Sequence, residues 1–266
     1  MANTNVVNVI DQIANELFEA EKNKTSVNKF VDRFPELDET LAYQVQEKLV
    51  ELKCEAENTV RIGRKLGLTS KAKQVMMGVH EPSYGVLLES MQLYEGEKIS
   101  IAPFIHAKLE PEIAFVFKKE LKGPHVTVAD VLAATEFIAP AVEIIDSRFQ
   151  GFSFTLADAV ADNSSSSKFI IGDRFYSPEK FDLKLMGMVF KKNGEIISTG
   201  AGAAVMGHPA RAIAWLANKL YKVCQSIQPG EVVLSGSLSG AEKIEPGDHF
   251  SASFDGIGTV EAVFTE

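Results

Sequence analysis

Lys108-Leu109-Glu110-Pro111-Glu112-Ile113-Ala114-Phe115-Val116-Phe117 is a ten-residue run in which apolar side chains are broken only by lysine, two glutamates and a proline. Read as a β-strand, its side chains alternate between two faces, so Glu110 and Glu112 share one face while Leu109, Ile113 and Phe115 share the other. Paired carboxylates on one surface repel each other unless a cation or a basic group lies between them. A hard divalent cation answers that need with one ion. The alternative is an antiparallel strand whose polar face is turned to water.

A second short apolar run, Pro140-Ala141-Val142-Glu143-Ile144-Ile145-Asp146, carries one glutamate in its middle. An unpaired carboxylate buried there is costly, so Glu143 requires a partner. With Glu110 and Glu112 it makes three hard oxygen donors, which leave positions on an octahedral Mg²⁺ or Mn²⁺ open for a bidentate substrate and water. That is the layout of a catalytic site. Whether the two runs pair cannot be read from spacing, so the solvated-face alternative stays open here.

Outward from these strands the pattern is α+β. Towards the N-terminus, Val6, Ile10, Ile13 and Leu17 form a helical stripe behind Asn3 and Thr4 as caps, and Leu41, Val45, Leu49 and Leu52 form another behind Asp38. Residues 1–57 therefore read as a helical N-terminal region and residues 58–266 as a β-rich catalytic core, with strands also expected at Leu183–Phe190, Val232–Leu234 and Phe250–Phe264. Asn193-Gly194 and Asp255-Gly256 are hairpin turns, Thr127-x-x-Asp130 and Thr155-x-x-Asp158 are capping boxes, and Pro209 opens a helix bearing Ile213, Leu216, Leu220 and Val223. Regular strand–helix alternation is missing, which argues against a TIM barrel or a doubly wound sheet.

The chain has 266 residues, 27 basic and 36 acidic, for a net charge of −9. That balance opposes phosphate-backbone binding, so no nucleic-acid partner is expected. Apolar runs are interrupted well short of the roughly 18 residues of a membrane span, and the N-terminus lacks a signal or transit pattern, which predicts a cytoplasmic protein. Cys54 and Cys224 are too few for a disulfide framework and read as reduced core residues.

Other motifs carry less. His80, His106, His125, His208 and His249 contain no HExxH and read as caps, turns or surface residues. Gly200-Ala201-Gly202 lacks the third glycine of a dinucleotide loop, and Ser235-Gly236-Ser237-Leu238-Ser239-Gly240 is no nucleophile elbow but a tight turn that lets backbone amides approach a ligand. Arg61-Ile62-Gly63-Arg64-Lys65-Leu66-Gly67 reads either as a solvated basic edge or as an anion clamp over the acidic site.

Together, Gly63-Arg64-Lys65-Leu66-Gly67-Leu68-Thr69, Glu110–Phe115, Pro140–Arg148, Ala161-Asp162-Asn163 and Gly207-His208-Pro209 before Trp215-Leu216-Ala217 resemble the fumarylacetoacetate hydrolase superfamily. Within it they resemble the branch of 2-oxopent-4-enoate hydratases and 4-oxalocrotonate decarboxylases, over essentially the whole chain. The resemblance implies a mixed β-roll core, Mg²⁺ or Mn²⁺ on Glu110, Glu112 and Glu143, and a 2-oxo acid substrate chelating that ion. It also implies Lys65 as the active-site lysine, Ser165 lining the pocket, and a compensating charge from Arg148. Ser147-Arg148-Phe149, Thr199–Val205 and Leu234-Ser235-Gly236 look more like the decarboxylases, which makes a carboxy-lyase the expectation and a hydro-lyase the alternative. In Gly78-Val79-His80-Glu81-Pro82 the second acid/base group is left open between His80, Glu81 and neither. A C–C hydrolase would need a His-Glu pair that has no place here, and a low-activity subunit organising a partner enzyme would not need the intact Glu110, Glu112, Glu143 and Lys65. The family further implies a homo-oligomer and a complex with a related hydratase.

Overall fold

A computed structural model describes residues 2–266 and gives an α+β architecture of two mixed sheets and six α-helices among the described residues. Helices α1 (Ala2–Asn23) and α2 (Glu39–Glu57) come first, then β1 (Arg61–Gly67), α3 (Lys71–Met77), β2 (Ser83–Leu88), β3 (Gln92–Leu93), β4 (Lys98–Ser100) and β5 (Lys108–Phe117). The middle of the chain supplies α4 (Val128–Ala134), β6 (Thr135–Ile145), α5 (Leu156–Ala161) and β7 (Ser166–Ile171). The rest holds β8 (Gly187–Lys192), β9 (Glu195–Ala201), α6 (Pro209–Tyr221), β10 (Val232–Leu234), β11 (Glu242–Lys243), β12 (His249–Phe254) and β13 (Gly258–Thr265). The larger sheet runs β2-β1-β10-β5-β6-β7-β3 with β11 also on β5, and the smaller runs β4-β13-β12-β8-β9. Leu109, Ile113 and Phe115 from the first sheet and Phe190, Phe250 and Phe264 from the second share one core with Ile213, Leu216 and Leu220 of α6.

Local chemistry sets most boundaries. Asp38 caps α2 by accepting from the Leu41 amide at 2.8 Å, and both Thr–Asp capping boxes form at α4 and α5. Asp158 does double duty, because its Oδ1 also accepts from the Phe30 amide at 2.8 Å and ties the chain between α1 and α2 to α5. Ile13, Leu17, Val45 and Leu49 bury their stripes against Phe149 and Val160, each fully buried aliphatic contributing about 1.5–3 kcal/mol. Gln46 joins α2 to the core by donating to the carbonyls of Tyr84 and Val160.

Some expectations shift. Helix α1 runs from Ala2, and the side chains of Asn3 and Thr4 expected to cap it lie outside those described. The strand expected from Leu183 starts at Gly187, because Asp182 accepts from the backbone amides of Leu185 and Met186 and folds that stretch into a turn. Asn193 and Gly194 both take positive φ as a type I′ turn requires, whereas the β12–β13 connection has three residues, Asp255 to Ile257, with positive φ at Gly256. Helix α6 stops at Tyr221, which leaves Val223 exposed, and Cys224 is an exposed thiol rather than a core residue. Strand β1 is no solvated edge: β2 and β10 flank it.

Candidate metal centre and active site

β5 and β6 pair antiparallel over their length, and the register sets Glu110 directly opposite Glu143. Since side chains two residues apart share a face, Glu112 joins them on the same surface. Pro111 is tolerated because its carbonyl accepts from the Leu238 amide at 3.0 Å, so its nitrogen faces the same side, where no strand lies between β10 and β11. The chain from Ser235 onward fills that gap. There Gly236 donates its amide to Glu112 Oε2 at 2.6 Å, as the tight-turn reading anticipated. Only glycine serves at this position: φ is +97° and a Cβ would lie 2.3 Å from Thr69 Oγ1.

One oxygen from each of Glu110, Glu112 and Glu143 lies within 4.8 Å of the others, about the span across a hard divalent ion with bonds of about 2.1–2.4 Å. All three residues are buried. Glu112 Oε1 and Glu143 Oε1 find no hydrogen-bond donor. Burial, and then the charges of Glu143 and Glu110, raise the Glu112 carboxyl well above its ordinary value. Burial also pushes Glu143 up to about 7, although Lys65 pulls against it. For Glu110, burial is outweighed by Lys73 and Lys65, which hold it below its ordinary value. Two buried carboxylates that resist ionisation and keep oxygens unanswered fit a divalent cation, which favours their charged form and takes up those lone pairs.

Lys65, on β1, is 2% exposed; its Nζ lies 3.1 Å from Glu143 Oε2 and donates to the Ser164 carbonyl at 2.9 Å. Lys73, which sequence reading passed over, reaches from α3 to donate to Glu110 Oε1 at 2.6 Å. A cavity of about 210 Å³ opens beside them, lined on its polar side by Lys65, Lys73, Lys108, Ser165 and Glu110, and on its apolar side by Leu68, Ile145, Phe152 and Phe154. Ser165 ends a run of three left-handed residues, Asn163 to Ser165. Asn163 anchors that run to β2, its amide pairing with both the N–H and the C=O of Val86. Ser165 Oγ is buried and has no protein partner.

Arg148 is elsewhere. Expected beside the substrate, it is 1% exposed and spends its guanidinium on Asp162, through Nε to the carboxylate and Nη2 to the carbonyl at 2.7 Å, and on the Asp146 carbonyl at 2.7 Å. It braces the turn that carries Asn163–Ser165 and does not line the cavity. Its guanidinium is answered by Asp162, with Glu21 at 3.9 Å. His80 and Glu81 line a separate cavity beyond Phe154, where Glu81 accepts from Lys219 at 3.1 Å. His208 caps α6 by accepting from the Ala210 amide.

The pattern of the fumarylacetoacetate (FAA) hydrolase C-terminal family matches residues 51–265. The chain belongs to the fumarylacetoacetate hydrolase family. Among relatives in that family, a 4-oxalocrotonate decarboxylase of Pseudomonas putida is 39% identical over 252 residues, covering 95% of each chain. A 2-hydroxyhexa-2,4-dienoate hydratase of Comamonas testosteroni is 42% identical over 252 residues, 94% of this chain and 95% of that one. The solved structure of a 4-oxalocrotonate decarboxylase from Pseudomonas putida G7, complexed with magnesium and adipate, superposes with a TM-score of 0.92 at 39% identity over 96% of this chain and 97% of that one. Among the described residues no helix is long and apolar enough to cross a membrane.

Proposed function

We propose that this member of the family is a lyase that decarboxylates 4-oxalocrotonate (2-oxohex-3-enedioate) to 2-hydroxypenta-2,4-dienoate and CO₂, a step in the meta-cleavage breakdown of aromatic compounds, with Mg²⁺ or Mn²⁺ on Glu110, Glu112 and Glu143. The observation that carries this reading is the buried carboxylate triad, whose Glu110 lines a cavity with three lysines and no imidazole among its lining residues. A divalent ion there would chelate the 2-oxo carboxylate and supply Lewis acidity to its oxo oxygen. The C5–C6 bond breaks, CO₂ leaves, and the electron pair passes through the vinylogous double bond to the 2-oxo oxygen. Lys65 faces the charge that develops there, and the Ser165 hydroxyl is free to donate to it. The dienol product needs a proton only on oxygen, whereas hydration needs a donor to carbon and a positioned water. The apolar wall of Ile145, Phe152 and Phe154 favours a neutral departing group.

A hydratase is the second reading, because hydratase relatives match at 42% and 43% identity. One experiment separates them: the Mg²⁺-loaded protein is given 4-oxalocrotonate and 2-hydroxypenta-2,4-dienoate in turn, and CO₂ and 4-hydroxy-2-oxopentanoate are measured. Expected is CO₂ from the first and little hydration of the second; hydration alone would reject the decarboxylase. A cytoplasmic setting, where Cys54 and Cys224 stay reduced, belongs to the same proposal. So does self-association, alone or with a related hydratase, which the exposed and mutually packed rings of Phe137 and Phe175 support. A monomer in sedimentation at micromolar concentration would reject self-association.

A further inference from the structure

The alternation that sets Glu110 and Glu112 on one face of β5 sets Lys108 on it too, about 7 Å along the strand from Glu110. Lys65 and Lys73 each answer a carboxylate, Glu143 at 3.1 Å and Glu110 at 2.6 Å. Lys108 is in no ion pair among the described residues. Its Nζ instead sits over the Phe152 ring, 4.1 Å from the centroid, and both residues line the cavity.

Phe152 is held there at a cost. Its φ is +57°, a left-handed conformation worth of order 1 kcal/mol for a residue with a Cβ. Its ring is wedged between His106 at 4.7 Å and Phe154 at 6.3 Å. The neighbours thus over-determine a strained residue whose polar contact is the Lys108 ammonium.

Charge and length then point to one ligand class. The three clustered carboxylates, of which Glu110 lines the cavity, balance the three ammoniums that line it, so a bound divalent ion leaves two positive charges, which is what a dicarboxylate neutralises. A six-carbon chain, five bonds of about 1.5 Å in zigzag, spans about 6 Å, close to the separation of Lys108 from the carboxylate triad along β5. We propose that Lys108, positioned by the Phe152 ring, binds the distal carboxylate of a six-carbon 2-oxo dicarboxylate and selects it over monocarboxylic acids, including the five-carbon acid left after CO₂ departs. This rests on the 2-oxo acid reading above.

The contact has a kinetic signature. The distal carboxylate loses its charge as CO₂ forms, so Lys108 binds the ground state better than the transition state. It lowers KM without raising kcat, and it loses its hold once the product forms. Sharing the ammonium with the Phe152 π-face limits how far the ground state is over-stabilised.

The test uses Mg²⁺-loaded protein with 2-oxoadipate and 2-oxohexanoate, which differ in the distal carboxylate, measured by calorimetry. Wild type should favour the dicarboxylate by about 10- to 100-fold, the yield of one charge-assisted contact. K108M should cut that preference below about threefold, leave 2-oxohexanoate affinity and Mg²⁺ affinity in place, and raise KM for 4-oxalocrotonate with kcat unchanged or higher; K108R should restore most of the preference. F152L keeps the lysine and should lower the preference several-fold. A K108M protein that retains the full preference overturns the assignment, and an undiminished preference in F152L overturns the positioning role of the ring. If wild type binds neither keto acid, the 2-oxo acid reading fails and the Lys108 assignment falls with it.

Discussion

Glu110 and Glu143 are direct cross-strand partners on β5 and β6, a juxtaposition of like charges that a sheet avoids unless something lies between them. With Glu112 beside them, the folded chain without metal carries its own repulsion. A divalent ion bound only by the folded state should therefore stabilise it by RT ln(1 + [L]/Kd), about 2.7 kcal/mol at a hundredfold excess over Kd. Chelation is expected to lower Tm by several degrees and abolish turnover, with the far-ultraviolet circular dichroism at 20 °C unchanged. E110Q and E143Q should each weaken Mg²⁺ binding at least tenfold, and E112Q should leave the metal-free protein as stable as wild type or more so. Unchanged Mg²⁺ affinity in E110Q and E143Q would remove these residues from the site.

Lys65 separates charge stabilisation from metal binding. K65M keeps the aliphatic bulk but leaves the Ser164 carbonyl without its donor and Glu143 without its ammonium. The expected loss is about 2–4 kcal/mol in transition-state stabilisation, roughly 30- to 1000-fold in kcat/KM, with Mg²⁺ affinity within a few-fold of wild type. Kinetics at saturating Mg²⁺ beside a metal titration decide: near-native kcat/KM rejects the role.

What the chain disclosed in advance follows from the range of each interaction. Alternation and turn chemistry are local, so Lys108–Phe117, the Asn193-Gly194 hairpin and both capping boxes could be read directly. The pairing of Glu110 with Glu143 depends on register between segments some thirty residues apart, which no local pattern encodes. Lys73 was invisible for a similar reason: it sits on a short helix two residues after another lysine, Lys71, and only tertiary packing brings it to Glu110. Arg148 was misplaced because its nearest carboxylate, Asp162, lies across a turn whose left-handed residues are not glycine. Positive φ at Asn163, Ser164 and Ser165 leaves no compositional mark beyond a run of serines.

Arg148 yields a stability prediction instead of a catalytic one. Removing a buried partner strands the other charge, here Asp162, which is fully buried. R148M should destabilise the fold by about 3–5 kcal/mol, read from urea unfolding. R148K should recover only part of that, because one ammonium cannot serve the Asp162 carboxylate, the Asp162 carbonyl and the Asp146 carbonyl together. A loss below about 1 kcal/mol in R148M would show that Asp162 finds another partner and that the brace on the serine turn is dispensable.

Glu21, on α1, gives the pH dependence of that same brace. Burial raises its carboxyl, but Lys53 at 2.7 Å and Arg148 at 3.9 Å outweigh it, and its pKa falls from the ordinary 4.5 to about 2. A carboxyl whose pKa is lower folded than unfolded contributes stability that is complete above about pH 4.5 and is lost as pH drops through 2. The side chain is 30% exposed, so solvent screening trims the contribution to about 1–3 kcal/mol. E21Q should therefore be less stable than wild type by that amount at pH 7, and the gap should narrow as pH is lowered from 4.5 towards 2. Urea unfolding of both proteins at pH 7, 5, 4 and 3 measures it: a gap that stays constant down to pH 3 would mean that packing of the Glu21 side chain, not its charge, links α1 to Lys53 and Arg148.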